Sequence, residues 1–93
     1  MIKSFRDRDT EDLWKGERPR RFPPDVVRPA RRKLTILHAA TSLEDLASVP
    51  GNRLEKLSRE REGQYSVRIN QQWRICFTWH ASDAYGVEVC DYH

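Results

Sequence analysis

The chain alternates most regularly between residues 65 and 79, where it reads Y-S-V-R-I-N-Q-Q-W-R-I-C-F-T-W. Tyr65, Val67 and Ile69 fall on one side of an extended chain, and Ser66, Arg68 and Asn70 on the other. Past a polar break, Trp73, Ile75, Phe77 and Trp79 alternate with Arg74, Cys76 and Thr78. Period-two alternation rich in aromatic and β-branched residues predicts two strands, and Asn70-Gln71-Gln72 predicts the turn of an antiparallel hairpin. With the turn centred on Gln71, Ile69 faces Trp73, Val67 faces Ile75 and Tyr65 faces Phe77, a coherent apolar side. The same register sets Arg68 opposite Arg74 on the other side. Like charges directly opposite destabilise a sheet, so the pair points to an anion there. A second hairpin, 74–80 with 85–92, is predicted to turn near Ser82-Asp83. It sets Trp79 against Tyr85, Phe77 against Val87 and Ile75 against Val89, with Cys76 near Glu88 and Cys90 near Arg74.

The first half of the chain follows a different period. Residues 2–5 predict a short opening strand. Asp9-Thr10-Glu11-Asp12 supplies an N-cap and acidic first turn for a helix through Leu13 and Trp14, stopped by Gly16. Val27, Ala30, Leu34 and Leu37 step by three and four residues within a main helix over 25–40. Pro29 suits only a first turn, which predicts regular helix from about Arg28. Thr41-Ser42-Leu43-Glu44 reads as a capping box for a short helix ended by Val49-Pro50-Gly51. Residues 54–57 predict a further strand, and 58–63 a charged loop. Helices come in one run and strands in another, which predicts an α+β fold with an antiparallel sheet. The helices should cover the side of Val67, Ile75, Phe77 and Val87. The side of Ser66, Arg68, Arg74, Cys76, Glu88, Cys90 and Tyr92 is expected to be open, basic and slightly concave.

Length and composition narrow the function classes. Ninety-three residues make one small domain spanning 1–93, with room for a single layer of helices on one sheet. A hydrophobic share of 38% against 33% charged is that of a folded, soluble domain rather than a disordered one. No apolar run approaches the roughly 20 residues that cross a bilayer. The opening residues lack a signal-peptide apolar region, so a cytoplasmic location and no membrane partner are expected. The net charge of +3 is modest, but its distribution leans toward a polyanion. Arg18, Arg20, Arg21, Arg28, Arg31, Arg32 and Lys33 cluster early, and Arg53, Lys56, Arg59, Arg61, Arg68 and Arg74 cluster later. Cys76 and Cys90 lack metal-ligand spacing, and their register offsets the thiols along the strands, arguing for free thiols rather than a disulfide. There is no Gly-rich phosphate loop and no Gly-x-Ser-x-Gly nucleophile turn. Trp73 and Trp79 fall on the core side, and His38 reads as a structural histidine in the main helix.

The candidate chemistry lies on the polar side of the sheet. Arg74 sits mid-sheet, opposite Arg68 and diagonal to Tyr92, with His93 following. Arginines grip phosphate oxygens and neutralise developing charge, tyrosine stacks on a base or moves a proton, and histidine is readily tuned for acid–base work. The alternative is a solvated arginine pair, neutralised by acids such as Glu88, beside a frayed end. The 58–61 loop, Ser58-Arg59-Glu60-Arg61, lies near a sheet edge where backbone–phosphate contacts would form easily. The basic stripe Arg28-Arg31-Arg32-Lys33 is either solvated or faces an acidic partner or RNA.

Met1-Ile2-Lys3-Ser4-Phe5, Pro50-Gly51-Asn52-Arg53-Leu54-Glu55-Lys56-Leu57, Tyr65-Ser66-Val67-Arg68-Ile69-Asn70, Gln72-Trp73-Arg74-Ile75-Cys76-Phe77 and the closing Asp91-Tyr92-His93 together resemble the HigB-type toxins, the plasmid-maintenance killer proteins of the RelE/ParE superfamily. The resemblance runs essentially end to end. It implies the microbial-RNase architecture of that superfamily and a type II toxin that acts as a ribosome-dependent endoribonuclease on translated mRNA. The RNA 2′-hydroxyl would be the nucleophile, so neither metal nor cofactor is implied. A HigA-type helix-turn-helix antitoxin would neutralise the toxin and link it to operator DNA. By position, the resemblance puts transition-state stabilisation on Arg74, substrate orientation or stacking on Tyr92 and proton transfer on His93. Arg68, Lys56, Ser58, Arg59, Arg61 and Arg53 are the substrate-binding candidates. The chain departs from the pattern in the 58–61 loop. Well-studied members carry a histidine and a lysine there, whereas Arg59 or Arg61 supplies only positive charge. The competing readings are a non-catalytic ParE-like inhibitor of DNA gyrase, and a weakly active toxin kept as an antitoxin-bound co-repressor.

Overall fold

The computed structural model describes residues 1–91. Its elements are α1 (Arg8–Trp14), α2 (Pro24–Ala39), α3 (Leu43–Ala47), β1 (Glu55–Lys56), a 3-10 turn (Arg59–Arg61), β2 (Gln64–Arg68), β3 (Trp73–His80) and β4 (Asp83–Asp91). The strands form one antiparallel sheet in the order β1-β2-β3-β4, so the expected α+β class holds. The alternating pattern sets the register as read. Tyr65 faces Phe77, Val67 faces Ile75 and Arg68 faces Arg74. The turn is closed by Asn70, whose Oδ1 accepts from the backbone N–H groups of Gln72 and Trp73 at 2.8 Å each.

The helices lie on the expected side. Leu13, Val26, Val27, Ala30, Leu34, Leu37 and Leu46 pack with Val67, Trp73, Ile75, Phe77, Val87 and Val89 in one buried core. At roughly 1.5–3 kcal/mol per fully buried large apolar side chain, this face dominates the folding free energy. Phe22 meets Trp73 edge-on with ring centroids 5.7 Å apart, and Trp79 packs against Phe77, which places both sheet tryptophans in the core as read.

Several boundaries differ from the sequence expectation for local reasons. The N-cap of α1 is Asp7, not Asp9, because the Asp7 carboxylate accepts from Thr10 N. Helix α2 runs unbroken from Pro24 through Pro29. The N–H that Pro29 lacks would have met the carbonyl of Asp25, an exposed residue of the first turn, where water can serve that oxygen. The box on α3 sits one residue later than read: Ser42 Oγ accepts from Asp45 N, and Asp45 accepts from Thr41 N and Oγ1. The second hairpin turns at Ala81-Ser82, both at positive φ (51° and 68°), the backbone of a two-residue type I′ turn. Beyond it the register breaks between Cys76 and Thr78, and Gly86, at φ 58°, sits in the bulge. Trp79 therefore faces Ala84, and Thr78 faces Tyr85.

Residues 2–5 are not a full strand. Ile2 and Phe5 make isolated parallel bridges to Ala84 and Val87. Lys3, Ser4 and Arg6 add backbone bonds along the outer edge of β4. Thr10 Oγ1 completes that edge by accepting from Val89 N at 3.0 Å. An edge that would otherwise template strand addition is thereby covered.

Candidate functional site

Arg74 lies on the side of the sheet away from the helices, as expected, but that side is not open. Ser66, Arg74, Cys76 and Cys90 are all buried, and Arg74 is only 7% exposed. Among the described residues the segment 52–61 contributes to the cover: the Arg53 carbonyl meets Arg74, Leu57 packs with Cys76 and Cys90, and Arg61 pairs with Glu88. This corrects the expectation of a bare basic surface. The sequence signal was weak because the segment works through backbone carbonyls and one leucine, Leu57, rather than through an apolar run.

A buried guanidinium is stable only if its N–H groups are satisfied. Arg74 Nε donates to Ser66 Oγ at 2.7 Å, and Nη2 donates to the carbonyl of Arg53 at 2.7 Å. Glu55 stands 3.8 Å from Nη1. Arg68 Nε donates to the carbonyl of Asn70 at 3.1 Å. The like-charge pair is therefore offset by these acceptors and by Glu55. Arg53, Glu55, Arg68, Asn70, Gln71 and Arg74 line a cleft of about 290 Å³. Among the described residues the lining carries three arginines and one carboxylate, a positive excess suited to an anion.

The backbone that holds Arg74 is itself fixed by Asn52. Fully buried, Asn52 donates from Nδ2 to the carbonyl of Leu46 at 3.0 Å and accepts from Lys33 Nζ at 2.5 Å. Its own carbonyl accepts from Arg68 N at 2.6 Å. Arg53 follows in a left-handed conformation, φ 44°, which aims its carbonyl at Arg74. Lys33, read in the sequence as part of a basic stripe, is thus a clamp between α2 and the cleft wall. Burial, and secondly the Arg32 charge, lower its pKa below the ordinary lysine value. Asn52, Ser66 and Glu55 were not among the sequence candidates. Ser66 was detectable, since the register places it beside Arg74 on the polar side.

The remaining cationic candidates separate from this cleft. Lys56, Ser58, Arg59 and Arg61 line a neighbouring hollow of about 610 Å³, together with Glu55, Leu57 and Glu60, so Glu55 borders both spaces. Arg61 points inward, with Nη1 3.1 Å from both Glu88 and Gln64, while Arg59 is exposed at φ 57°. Tyr92 and His93 lie outside the described residues. The early basic cluster is partly structural. Arg21 is bound to Asp7 and Asp9, and Arg31 donates to the carbonyls of Leu13 and Glu17 at the end of α1. His38 is structural too, its Nδ1 accepting from Ile2 N at 3.1 Å.

The two cysteines correct the expectation of separated thiols. The register is as read, Cys76 opposite Glu88 and Cys90 opposite Arg74, but the diagonal between them brings the sulfurs to 3.2 Å, unbonded. Among the described residues, no three His, Cys, Asp or Glu side chains group as metal ligands, and no helix is long and apolar enough to cross a membrane.

Comparison with known proteins agrees with this architecture. The chain superposes on a YoeB-YefM complex from Staphylococcus aureus with a TM-score of 0.62 at 19% identity, covering 100% of this chain and 98% of the other. A heterotetrameric YoeB-YefM toxin-antitoxin complex from the same organism gives 0.61 at 19% identity, with the same coverage. In sequence, the chain is 38% identical over 80 residues to Toxin HigB-1 of Vibrio cholerae serotype O1, covering 85% of this chain and 84% of that protein. It is 30% identical over 93 residues to Endoribonuclease HigB of Proteus vulgaris, covering 100% of both. Residues 3–93 match the family model of HigB-like toxins, described as the RelE-like toxin of the type II toxin-antitoxin system HigB, and the chain belongs to that family.

Proposed function

We propose that this toxin is a ribosome-dependent endoribonuclease that cuts translated mRNA, is held inactive by a HigA-type helix-turn-helix antitoxin, and works in the cytoplasm. The observation that carries the reading is the Arg74 guanidinium, buried yet facing a cleft that holds two further arginines. A guanidinium withdrawn from water and held in place stabilises a phosphate that gains negative charge more than a freely solvated one would. The name of the Proteus vulgaris relative supports ribonuclease chemistry, and the YoeB-YefM complexes support an antitoxin partner.

In this mechanism the 2′-oxygen attacks the adjacent phosphorus and the 5′-oxygen leaves. A base removes the 2′ proton, and an acid returns one to the leaving oxygen. The nucleophile belongs to the RNA, so the reaction does not call for a metal. Arg74 meets the developing charge, with Arg68 and Arg53 holding flanking phosphates. Lys56, Ser58, Arg59 and Arg61 lie along the backbone path beyond Glu55. Tyr92 orients the substrate base, and His93 moves a proton. No histidine lies in the 58–61 loop, so the proton-transfer role rests with His93.

The test is the mapping of RNA ends after induction, with wild type and Arg74→Lys compared. The expected result is new breaks within translated regions, bearing the cyclic phosphate and free 5′-hydroxyl that 2′ attack leaves. The variant keeps the charge but loses the fork, and should cut about 10²-fold more slowly or worse. Intact mRNA with DNA damage would instead identify a gyrase-directed toxin. Antitoxin binding without growth arrest would identify a co-repressor.

A further inference from the structure

Cys76 and Cys90 are both buried, with their sulfurs 3.2 Å apart, on the sheet face that carries Arg74. They form a small cluster with Leu57, separate from the core under the helices. Each is tied to the cleft through the sheet register. Cys90 faces Arg74 across β3 and β4, and Cys76 faces Ser66, the residue that holds Arg74 Nε, across β2 and β3. Above them lies the segment carrying Leu57 and Arg61, pinned by the Arg61–Glu88 ion pair at 3.1 Å.

We infer that Cys76 and Cys90 form a reversible dithiol–disulfide site that hydrogen peroxide closes, and that closure disables the neighbouring Arg74 cleft. The second half of this inference rests on the nuclease reading; the first half does not. The geometry provides a resolving thiol already in contact with an attacking one. The roles divide by environment. The Cys76 thiol is lowered in pKa chiefly by the hydrogen bond from Cys90, with Arg61 and Arg74 adding positive charge nearby. The Cys90 thiol is raised by that same contact and by burial. The attacking role therefore falls to Cys76. Its sulfur, as the thiolate, attacks one peroxide oxygen; the S–O bond forms, the O–O bond breaks, and the departing hydroxide takes up the proton that Cys76 released and leaves as water. Cys90 sulfur then displaces the hydroxyl from the sulfenic acid, forming S–S and breaking S–O, and its own proton leaves with that hydroxyl as a second water. Two thiols are oxidised and one peroxide is reduced. A covalent S–S bond is shorter than the present separation by about 1.2 Å. Closing it draws β3 and β4 together beside Arg74 and Ser66, in a cleft where hydrogen-bond distances set the charge geometry.

The experiment treats the full-length toxin with hydrogen peroxide and follows it by intact mass, peptide mapping and cleavage in a translation reaction. The expected product is a monomer lighter by two hydrogens, with a Cys76–Cys90 cross-link, restored by dithiothreitol, and with cleavage reduced about tenfold or more on the scale of a displaced catalytic group. Cys90→Ser should stop at a sulfenic acid on Cys76, trapped by dimedone. Cys76→Ser should resist peroxide and keep its cleavage rate. Two free thiols persisting after treatment, or cross-linking only between molecules, would overturn the site. An oxidised protein that cuts RNA as fast as the reduced one would overturn the coupling. A reduced wild type that never cuts RNA would instead count against the nuclease reading, leaving the mass result to judge the thiol pair. If either serine variant fails to fold, the wild-type mass and mapping data decide alone.

Discussion

Arg74 donates to the carbonyl of Arg53 at 2.7 Å, so one cleft arginine is held by the main chain of another. The arrangement brings two positive residues together through a backbone acceptor. It also makes the position of the buried guanidinium depend on a loop conformation and on Ser66.

The dependence on Ser66 gives the first prediction. Ser66→Ala removes the hydroxyl that accepts from Arg74 Nε inside the sheet. The loss should be about 1–3 kcal/mol in urea unfolding. RNA cleavage should fall by about 10- to 100-fold, as expected when a catalytic group shifts by a fraction of an ångström. Equal activity in the variant would mean that the other partners of the guanidinium suffice to hold the fork.

Asn52 is the keystone of the loop. Asn52→Leu breaks the bonds to Leu46 and Lys33 together. It should cost about 2–3 kcal/mol, in the range for a buried side chain whose partners are left unpaired. Lys33→Met should cost less, and a double-mutant cycle should return a coupling of about 0.5–3 kcal/mol between them. Additive effects would show that the short contact contributes little.

Much of this was legible in the chain, and the illegible parts share a cause. Alternation from Tyr65 to Trp79 gave the hairpin register, because a slip of one residue would have exposed every core side chain. The face bearing Arg74 was legible for the same reason. What covers that face was not, because a carbonyl such as that of Arg53 has no residue-type signature. The thiol contact was missed because period-two reasoning pairs residues straight across strands, and Cys76 and Cys90 meet on a diagonal. The bulge had a visible marker in Gly86, a glycine inside a strand, but alternation alone carried the register past it.

The β3–β4 turn is a place where the chain is less stable than its geometry permits. Ala81 and Ser82 both occupy positive φ, which suits asparagine and glycine far better. The combined change Ala81→Asn and Ser82→Gly should raise stability by about 1 kcal/mol, a shift of roughly 4–8 °C in Tm for a domain of this size. It lies at the far end of the hairpin from Arg74, so cleavage should be unchanged. A lower Tm would mean that the turn is not type I′.

Asp45 makes the fold sensitive to acid at one helix end. Its carboxylate accepts from Thr41 N and Oγ1 at 3.0 Å each. The backbone hydrogen bond from Thr41 is the main reason its pKa is lowered, with the Thr41 hydroxyl and Ser42 adding to it and desolvation opposing. A carboxyl with a folded pKa below its unfolded value stabilises the fold above the unfolded pKa, about 3.9, and loses that contribution as pH falls through the folded pKa. Asp45→Asn keeps an acceptor but removes the charge. It should therefore melt below wild type at neutral pH, with the difference narrowing as pH is lowered through 4 and closing below the folded pKa. The check is a series of thermal melts on both proteins across that window. A Tm gap of constant size at every pH would assign the effect to lost packing rather than to the carboxylate charge.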